Sequence, residues 1–408
     1  MKETMMYLSS IKPRYFMLLV YLFLLAGATS CRDDHFESDL TDDSIQLSKA
    51  ELIQQALRRL LQTRVEGEGV MMITIKDTVN IKVRAAEAME ITWGDHSTPD
   101  IIMDDEHIYS HVYTDGYLSH AIYLSGSAQA LRSLTIDNNG LILLNIYSNE
   151  SLTTLSCVNN HLENIDLKGC PNLYGLNVSK NELTLLDVSN LFKLESFYAS
   201  HNQLTALDFS NNANLYMLEA EHNPLKELNL QENAELMYLY VSFTQLKNLD
   251  LSKSIYLSDL FLENTPIEII NNQFICNTSF AMFKDLWQLN VAYTSFSSLD
   301  LSCTPQVYIL NISGTPITQL DISELKIQYL YATRSKLANL ICEKKDLTNL
   351  NELRIEYTPF EKDSKNIYVL GAALPDRNGL IPGHLYTYSQ YINELIDVAS
   401  LKNWLINQ

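Results

Sequence analysis

The densest chemistry in the chain lies in LEAEHNPL, residues 218–225, where Glu219 and Glu221 stand beside His222. One interval of 21 residues upstream, FYASHNQL places His201 at the equivalent position. Two carboxylates with a histidine are the residue types of an acid/base pair, and two histidines with Glu221 as a third donor are those of a metal site. Asp95 and His111 form a second acid–histidine combination nearer the N-terminus. Scattered surface acids also carry the makings of a glycosidase pair, which needs only two carboxylates at suitable separation. None of these stands in a motif that fixes such chemistry: the chain has no G-x-S-x-G, H-E-x-x-H, P-loop or G-x-G-x-x-G sequence. The elements that position these residues decide between a reaction centre and a scaffold.

Those elements repeat. Residues 131–256 divide into six consecutive units of 21, from LRSLTIDNNGLILLNIYSNES to LMYLYVSFTQLKNLDLSKSIY. Further units begin at Leu257, Leu286, Val307, Ile327 and Leu350, with an insertion around NNQFICNTSFAMFKD. Each unit carries L-x-x-L-x-L and then, about ten residues on, L-x-x-L-D-L. In an extended chain the alternation L-x-L turns two side chains inward, so each coil is expected to supply two parallel strands to two stacked sheets. No coil buries its apolar face alone, and stacking is obligatory. Eleven such coils at roughly 4.8 Å each make a rod on the order of 50 Å long. Over residues 129–360 these units resemble the leucine-rich repeats of bacterial cell-surface proteins, which implies a mainly β solenoid with little helix.

Columns of the repeat separate structure from function. The ninth position is Asn139, Asn160, Asn181, Asn202 and Asn223 in the first five units, then Thr244, Thr265, Thr294, Thr315, Ser335 and Thr358. Each of these side chains can bond backbone groups left unpaired where the chain departs from the strand, so they read as a structural ladder. The eighth position holds Asn138, Asn159, Lys180, His201, His222, Phe243, Asn264, Tyr293, Gly314, Arg334 and Tyr357. A column that accepts Lys, Phe and Gly reads as solvent-facing and unconstrained, which makes His201 and His222 tolerated surface residues. No catalytic residue, metal ligand or cofactor is assigned. Within LEAEHNPL, Leu218 and Ala220 point into the core, Asn223 joins the ladder and Pro224 turns the chain. Outward positions three, five and seven carry Tyr198, Glu219, Tyr238, Tyr240 and Phe261 in adjacent units, then Tyr329 and Tyr331, with Glu221, Glu263 and Glu356 alongside. Aromatics anchor protein interfaces and stack on sugar rings, so this stripe is the candidate ligand face.

The flanks set the context. Lys2, Lys12 and Arg14 precede an apolar run from Tyr15 to Leu25 and then ATSC, ending at Cys31. That run is too short for the roughly 20 residues of a spanning helix and has the order of a secretory signal. ATSC resembles the lipobox of bacterial lipoproteins, implying removal of residues 1–30 and acylation of Cys31. The acidic RDDHFESD beyond it resembles the surface-export signal of Bacteroidetes lipoproteins, implying an outer-membrane anchor facing the exterior. Residues 31–66 read as an acidic tether and a helix: Ser48 and Glu51 form a capping box, Leu47 and Leu52 a hydrophobic staple, and Leu52, Ala56, Leu57, Leu60 and Leu61 one apolar face. Residues 67–128 change to short β-rich runs of a small sandwich. Trp93, Gly94, Asp95, His111, Tyr113 and Gly116 there resemble the PKD-type immunoglobulin-like domain, with His96 in place of a second glycine. In that family these residues hold the fold, and the domain serves as a spacer or binding module. Residues 361–408 interrupt the repeat with Pro375, Gly379, Pro382 and Gly383 and are expected to cap the solenoid, with Trp404 packed in.

Composition narrows the function classes. A formal charge of -20, from 29 basic and 49 acidic residues, opposes capture of nucleic acid. Besides Cys31 there are Cys157, Cys170, Cys276, Cys303 and Cys342, with no C-x-x-C pair, so neither a disulfide framework nor a zinc knuckle is indicated. Cys157 and Cys342 read as small core residues, and one bridge among Cys170, Cys276 and Cys303 stays open. The expected function is non-enzymatic: a lipid-anchored surface protein displaying its repeats to a macromolecule. A protein ligand leads, in the manner of the adhesin-like proteins the repeats resemble. A surface glycan-binding accessory protein is the alternative and a glycoside hydrolase the third reading.

Overall fold

The computed structural model describes residues 47–60, 68–103, 106–127, 129–146, 149–271, 273–274, 283–302, 304–323, 325–342, 347, 349–374, 382–388 and 404–407. The expected signal segment, the acidic tether, Cys31, Cys276 and Cys303 lie outside the described residues.

The chain enters through helix α1, Lys49–Leu60. Ser48 N donates to Glu51 Oε2 at 2.8 Å, and the Ser48 hydroxyl accepts from Glu51 N at 3.4 Å, the reciprocal pair of a capping box. Leu52 and Ala56 are buried against Ile73, Ala121 and Ile142 of the sheet below. Lys49 Nζ reaches further, to Glu163 and Glu182 at 2.8 Å each, so the helix is tied to two coils of the solenoid as well as to the sandwich.

Six strands follow: β1 Glu68–Thr74, β2 Thr78–Ala85, β3 Met89–Thr92, β4 Asp100–Ile102, β5 His107–Val112 and β6 His120–Gly126. β2 alternates inward apolar and outward polar residues, with Val79, Ile81 and Val83 buried and Asn80, Lys82 and Arg84 not, whereas β1 and β6 are buried on both faces because α1 covers their outer side. Strands β7 Leu131–Thr135 and β8 Leu141–Asn145 form the first coil of the repeat. The sandwich and this coil share their sheets. β8 pairs antiparallel with β1 and β7 pairs antiparallel with β2, giving one sheet of order β4-β3-β6-β1-β8 and a second in which β5-β2-β7 leads into the repeats. Residues from both sides of position 128 belong to one apolar core, from Val70 and Trp93 through Leu134 to the last coils.

From β7 onward the first block of every coil adds one parallel strand, the register moving 21 residues per step from Leu134 to Leu155, Leu176, Phe197, Leu218 and Leu239. The ladder continues through Leu260, Leu289, Leu310, Leu330 and Leu353, and all of these side chains are buried. It does not stop there: Gly383–Tyr386 and Trp404–Asn407 add two further parallel strands, completing a 15-stranded sheet, and Trp404 is buried.

The second block differs from the expected continuous second sheet. Among the described residues it pairs only in short ladders, such as Ala206–Asp208 with Glu227–Asn229 and Gln319–Asp321 with Asn339–Ile341. Its L-D-L signature also carries a turn. Asp166, Asp187, Asp208, Asp250 and Asp321 each accept a hydrogen bond from the backbone N–H two residues on, which turns the chain as soon as the strand has formed. Cys157 sits in the core and Cys170 is likewise buried and free, so the bridge left open for Cys170 is absent. Burial raises both thiols, that of Cys170 to about 12, which keeps them protonated and inert.

Candidate functional site

The positions flanking each buried leucine of the first block face away from the core, and parallel register stacks them into columns. One column runs Ser133, Thr154, Gly175, Ser196, Met217, Tyr238, Asp259, Gln288, Ile309, Tyr329, Glu352. The other runs Thr135, Ser156, Asn177, Tyr198, Glu219, Tyr240, Phe261, Asn290, Asn311, Tyr331, Arg354. Lys82 and Arg84 of β2 extend the same surface across the sandwich through their pairing with Thr135 and Ser133. The face is thus small and polar toward the N-terminus and aromatic and acidic toward the C-terminus. Tyr198, Glu219, Tyr238, Tyr240, Phe261, Tyr329 and Tyr331 all lie on it, each half-buried by its neighbours.

Glu219 and Tyr240 stand side by side on neighbouring strands, with Tyr238 opposite Asp259 and Tyr240 opposite Phe261. The rings of Tyr240 and Phe261 are 4.8 Å apart, tilted by 53°. Ser200 donates to Glu219 Oε1 at 2.9 Å, and Asn290 donates to Glu263 Oε2 at 2.9 Å. Burial, then Asp259, Tyr238, Glu219 and Glu221, push the Tyr240 hydroxyl up to about 12. Burial raises Glu221 and Asp259 too, and the neighbouring Glu219 and Glu263 add to the rise at Glu221. Asp259 is only 2% exposed, and its Oδ1 has no hydrogen-bond partner.

The ninth-position ladder has two forms. Asn202 Nδ2 donates to Val178 O of the preceding coil and to Ala199 O of its own, each at 3.0 Å, while its Oδ1 accepts from Leu183 N at 3.0 Å. Asn160, Asn181 and Asn223 repeat this pattern, and Asn139 carries it into the sandwich by bonding Asn80 of β2 through both its Nδ2 and its Oδ1. Thr244, Thr265, Thr294, Thr315 and Thr358 donate only to the carbonyl three residues back, inside their own coil. Ser335 accepts from Leu337 N at 3.4 Å. The change at Thr244 therefore removes the bonds between coils that the ninth position makes, while others, such as Asn290 to Glu263, persist beyond it.

The eighth-position column is exposed at His201 and His222, as expected, but it is not unconstrained. Every residue from Asn138 to Tyr357 in it has a left-handed backbone, with φ between 53° at Asn264 and 68° at Gly314. The shared backbone aligns the side chains into a stack. His201 and His222 lie 4.3 Å apart and 9° from parallel, and His222 and Phe243 lie 4.4 Å apart and 7° from parallel. In such a stack the two imidazoles present faces, not lone pairs, to each other, and no group of three or more metal-binding side chains exists among the described residues. His201 is held below the usual histidine range by burial, by His222 and by Lys180.

Two features escaped the sequence reading. The position before each strand is also exposed, and it carries Tyr174, Tyr216, Met237 and Trp287. Trp287 and Tyr308 are 5.0 Å apart and Tyr308 and Tyr329 5.7 Å, which widens the aromatic stripe; the recurrence of aromatics just before the L-x-L core was its signal. A second ladder lines the opposite side: Asn212, Asn233 and Ser254 bond carbonyls of neighbouring coils, and the Cys170 thiol lies 3.6 Å from Ile146 O. In the sandwich, Asp95 and His111 serve the fold. His111 Nε2 lies 2.7 Å from Asp95 Oδ2 while its ring stacks on Trp93 at 4.8 Å, and Tyr113 donates to Trp93 O at 2.9 Å.

No protein-family model and no curated protein matches the chain. Among solved structures it is similar to a leucine-rich repeat protein of Leptospira interrogans, at 18% identity and a TM-score of 0.53, over 69% of this chain and 73% of that one. The fold is a leucine-rich repeat solenoid. It is also similar to the leucine-rich effector YopM of Yersinia pestis, with 22% identity, 70% and 79% coverage and a TM-score of 0.46. For the functional domain of InlJ from Listeria monocytogenes the identity is 22%, the TM-score 0.45, and the match spans 56% of this chain and 59% of that one. In leucine-rich repeat terms, the candidate face is the outer surface of the continuous parallel sheet.

Proposed function

We propose that the chain is a non-enzymatic surface protein, anchored through an acylated Cys31, that presents the outer face of its parallel sheet to a protein partner. The observation that carries this reading is the run of half-buried aromatics and acids from Tyr198 to Arg354 in strict register on one sheet of 15 strands. Half-buried rings on a rigid backbone lose little entropy on binding and supply the anchors of protein interfaces. Regular strands also hold these side chains at fixed spacing. The stacked Trp287, Tyr308 and Tyr329 favour glycan binding as a second reading, since sugar rings stack on such surfaces.

A photo-reactive residue placed at Tyr240 tests the face, with one at Leu185, exposed away from it, as the control. Capture of the same protein at position 240 and not at 185 is expected. Equal capture at both positions overturns the assignment, and binding on a glycan array lost in Trp287→Ala and Tyr308→Ala selects the second reading. Metabolic labelling with an alkynyl fatty acid tests the anchor: label is expected on the full chain and not on Cys31→Ser.

A further inference from the structure

The sheet shows how it holds a guanidinium, because it binds one of its own. Arg354 stands between Tyr331 and Tyr386 in the outward column, with its guanidinium carbon 5.7 Å and 4.0 Å from the two ring centres. Its Nε donates to Glu352 Oε1 at 2.6 Å. A planar cation between aromatic faces with a carboxylate at its edge is a favourable arrangement on a half-buried surface.

The same ingredients recur around Tyr240 without the cation. Three consecutive strands place Glu219 and Glu221, then Tyr238 and Tyr240, then Asp259, Phe261 and Glu263 side by side. Among the described residues no lysine or arginine pairs with any of these four acids. Asp259 is the most constrained of the four. By strand alternation it belongs to the outward face, yet it is nine-tenths or more buried and its Oδ1 is unpartnered. Its Oδ2 accepts from the Ser258 hydroxyl at 3.1 Å, so only one oxygen is served, and a buried carboxylate served this sparsely is costly without a compensating charge.

We propose that the grid around Tyr240 is a receptor for an arginine side chain of the partner, and that the partner presents a basic, extended segment. This inference rests on the outer sheet being the binding face. The Tyr240 and Phe261 rings touch, with centres 4.8 Å apart, and leave no slot between them, so the guanidinium stacks on the open side of this pair, and its N–H groups meet carboxylates on the strands either side of Tyr240. The acid-bearing strands lie one on each side of the Tyr240 strand, about 5 Å from it and roughly 10 Å from each other, so a guanidinium over Tyr240 is flanked by carboxylates on both sides. The chain's net charge of -20 steers a basic partner toward it.

The experiment uses the full chain and a fluorescent Gly-Arg-Gly-Arg-Gly peptide, with its citrulline counterpart as the neutral isostere. Arginine-dependent binding is expected to fall at least tenfold in Glu219→Gln/Asp259→Asn/Glu263→Gln, and less than twofold in Glu227→Gln/Glu232→Gln/Glu235→Gln, whose acids are exposed away from the grid. Equal losses in the two triples, or equal binding of the citrulline peptide, overturn the proposal. A second readout separates binding from folding: Asp259→Asn alone is expected to raise the thermal midpoint of the free protein while weakening the peptide, and a lowered midpoint assigns Asp259 to the fold instead. Capture at position 240 without arginine dependence leaves the binding face standing and removes only the cation.

Discussion

The Asn and Thr of the ninth position do different amounts of structural work, and mutation should separate them. Asn202→Leu strips three backbone groups of their partner and is expected to cost about 1–3 kcal/mol, whereas Thr244→Val loses one intra-coil bond and should cost about 1 kcal/mol or less. Denaturant midpoints of the two variants check this; equal shifts would mean that the inter-coil bonds contribute nothing extra. His201 gives a titration. Because His201 is lowered, its neutral form is favoured in the folded chain; its contribution is complete above the ordinary value of about 6.5 and is lost as pH falls through the lowered one. NMR should find His201 titrating below an ordinary histidine and returning toward it in His222→Asn. The ladder was legible because hydrogen-bonding side chains recur at one position. The constraint at position eight was hidden because left-handed backbone costs His, Lys or Phe only about 1–2 kcal/mol, which the packed solenoid absorbs. Asn138, Asn159, Asn264 and Gly314, the residue types that take that conformation most readily, were the available sign.

At the scale of elements, α1 is a clamp. Its capping box and apolar face could be read from sequence, but the reach of Lys49 to Glu163 and Glu182 could not, since those partners lie more than a hundred residues away. Burial opposes ionisation of Glu182, but His161 and Lys49 hold it at about 2. A carboxyl lowered on folding stabilises fully above its unfolded pKa of about 4.3, and that stability drains as pH falls through about 2. Lys49→Met should therefore move acid unfolding to higher pH, and tryptophan fluorescence across pH 5 to 2 reads the shift. An unchanged profile would leave the clamp without energetic weight. The second-block sheet was over-read because L-x-x-L-D-L fixes which leucines point inward, and an inward pattern alone does not make neighbouring second blocks pair.

For the whole molecule, the sandwich and the repeats form one hydrogen-bonded body. The repeat period made the solenoid legible, and the change of period at residue 128 marked a boundary in sequence that the sheets cross without interruption. Period reports local backbone geometry, whereas the pairing of β1 with β8 and β2 with β7 is set by edges far apart in the chain. Residues 129–408 expressed alone would expose both strands of the first coil and the face of Leu134 and Leu144. Aggregation or a thermal midpoint far below that of the full chain is expected, because open strand edges and bare apolar coil ends recruit other chains. A soluble monomer with an unchanged midpoint, by size-exclusion chromatography and calorimetry, would make the sandwich a mere attachment.

The switch from Asn to Thr at residue 244 also has a mechanical meaning. Bonds between coils lie along the long axis, so a pull between the two ends of the solenoid loads every junction in series. From Asn139 to Asn223 each junction carries extra side-chain rivets to its neighbour, and beyond them the threonines supply none. Pulled from its two ends, the solenoid is expected to peel first at the coils beyond Thr244, where the ninth position adds no bond to the neighbouring coil, and later among those from Asn139 to Asn223.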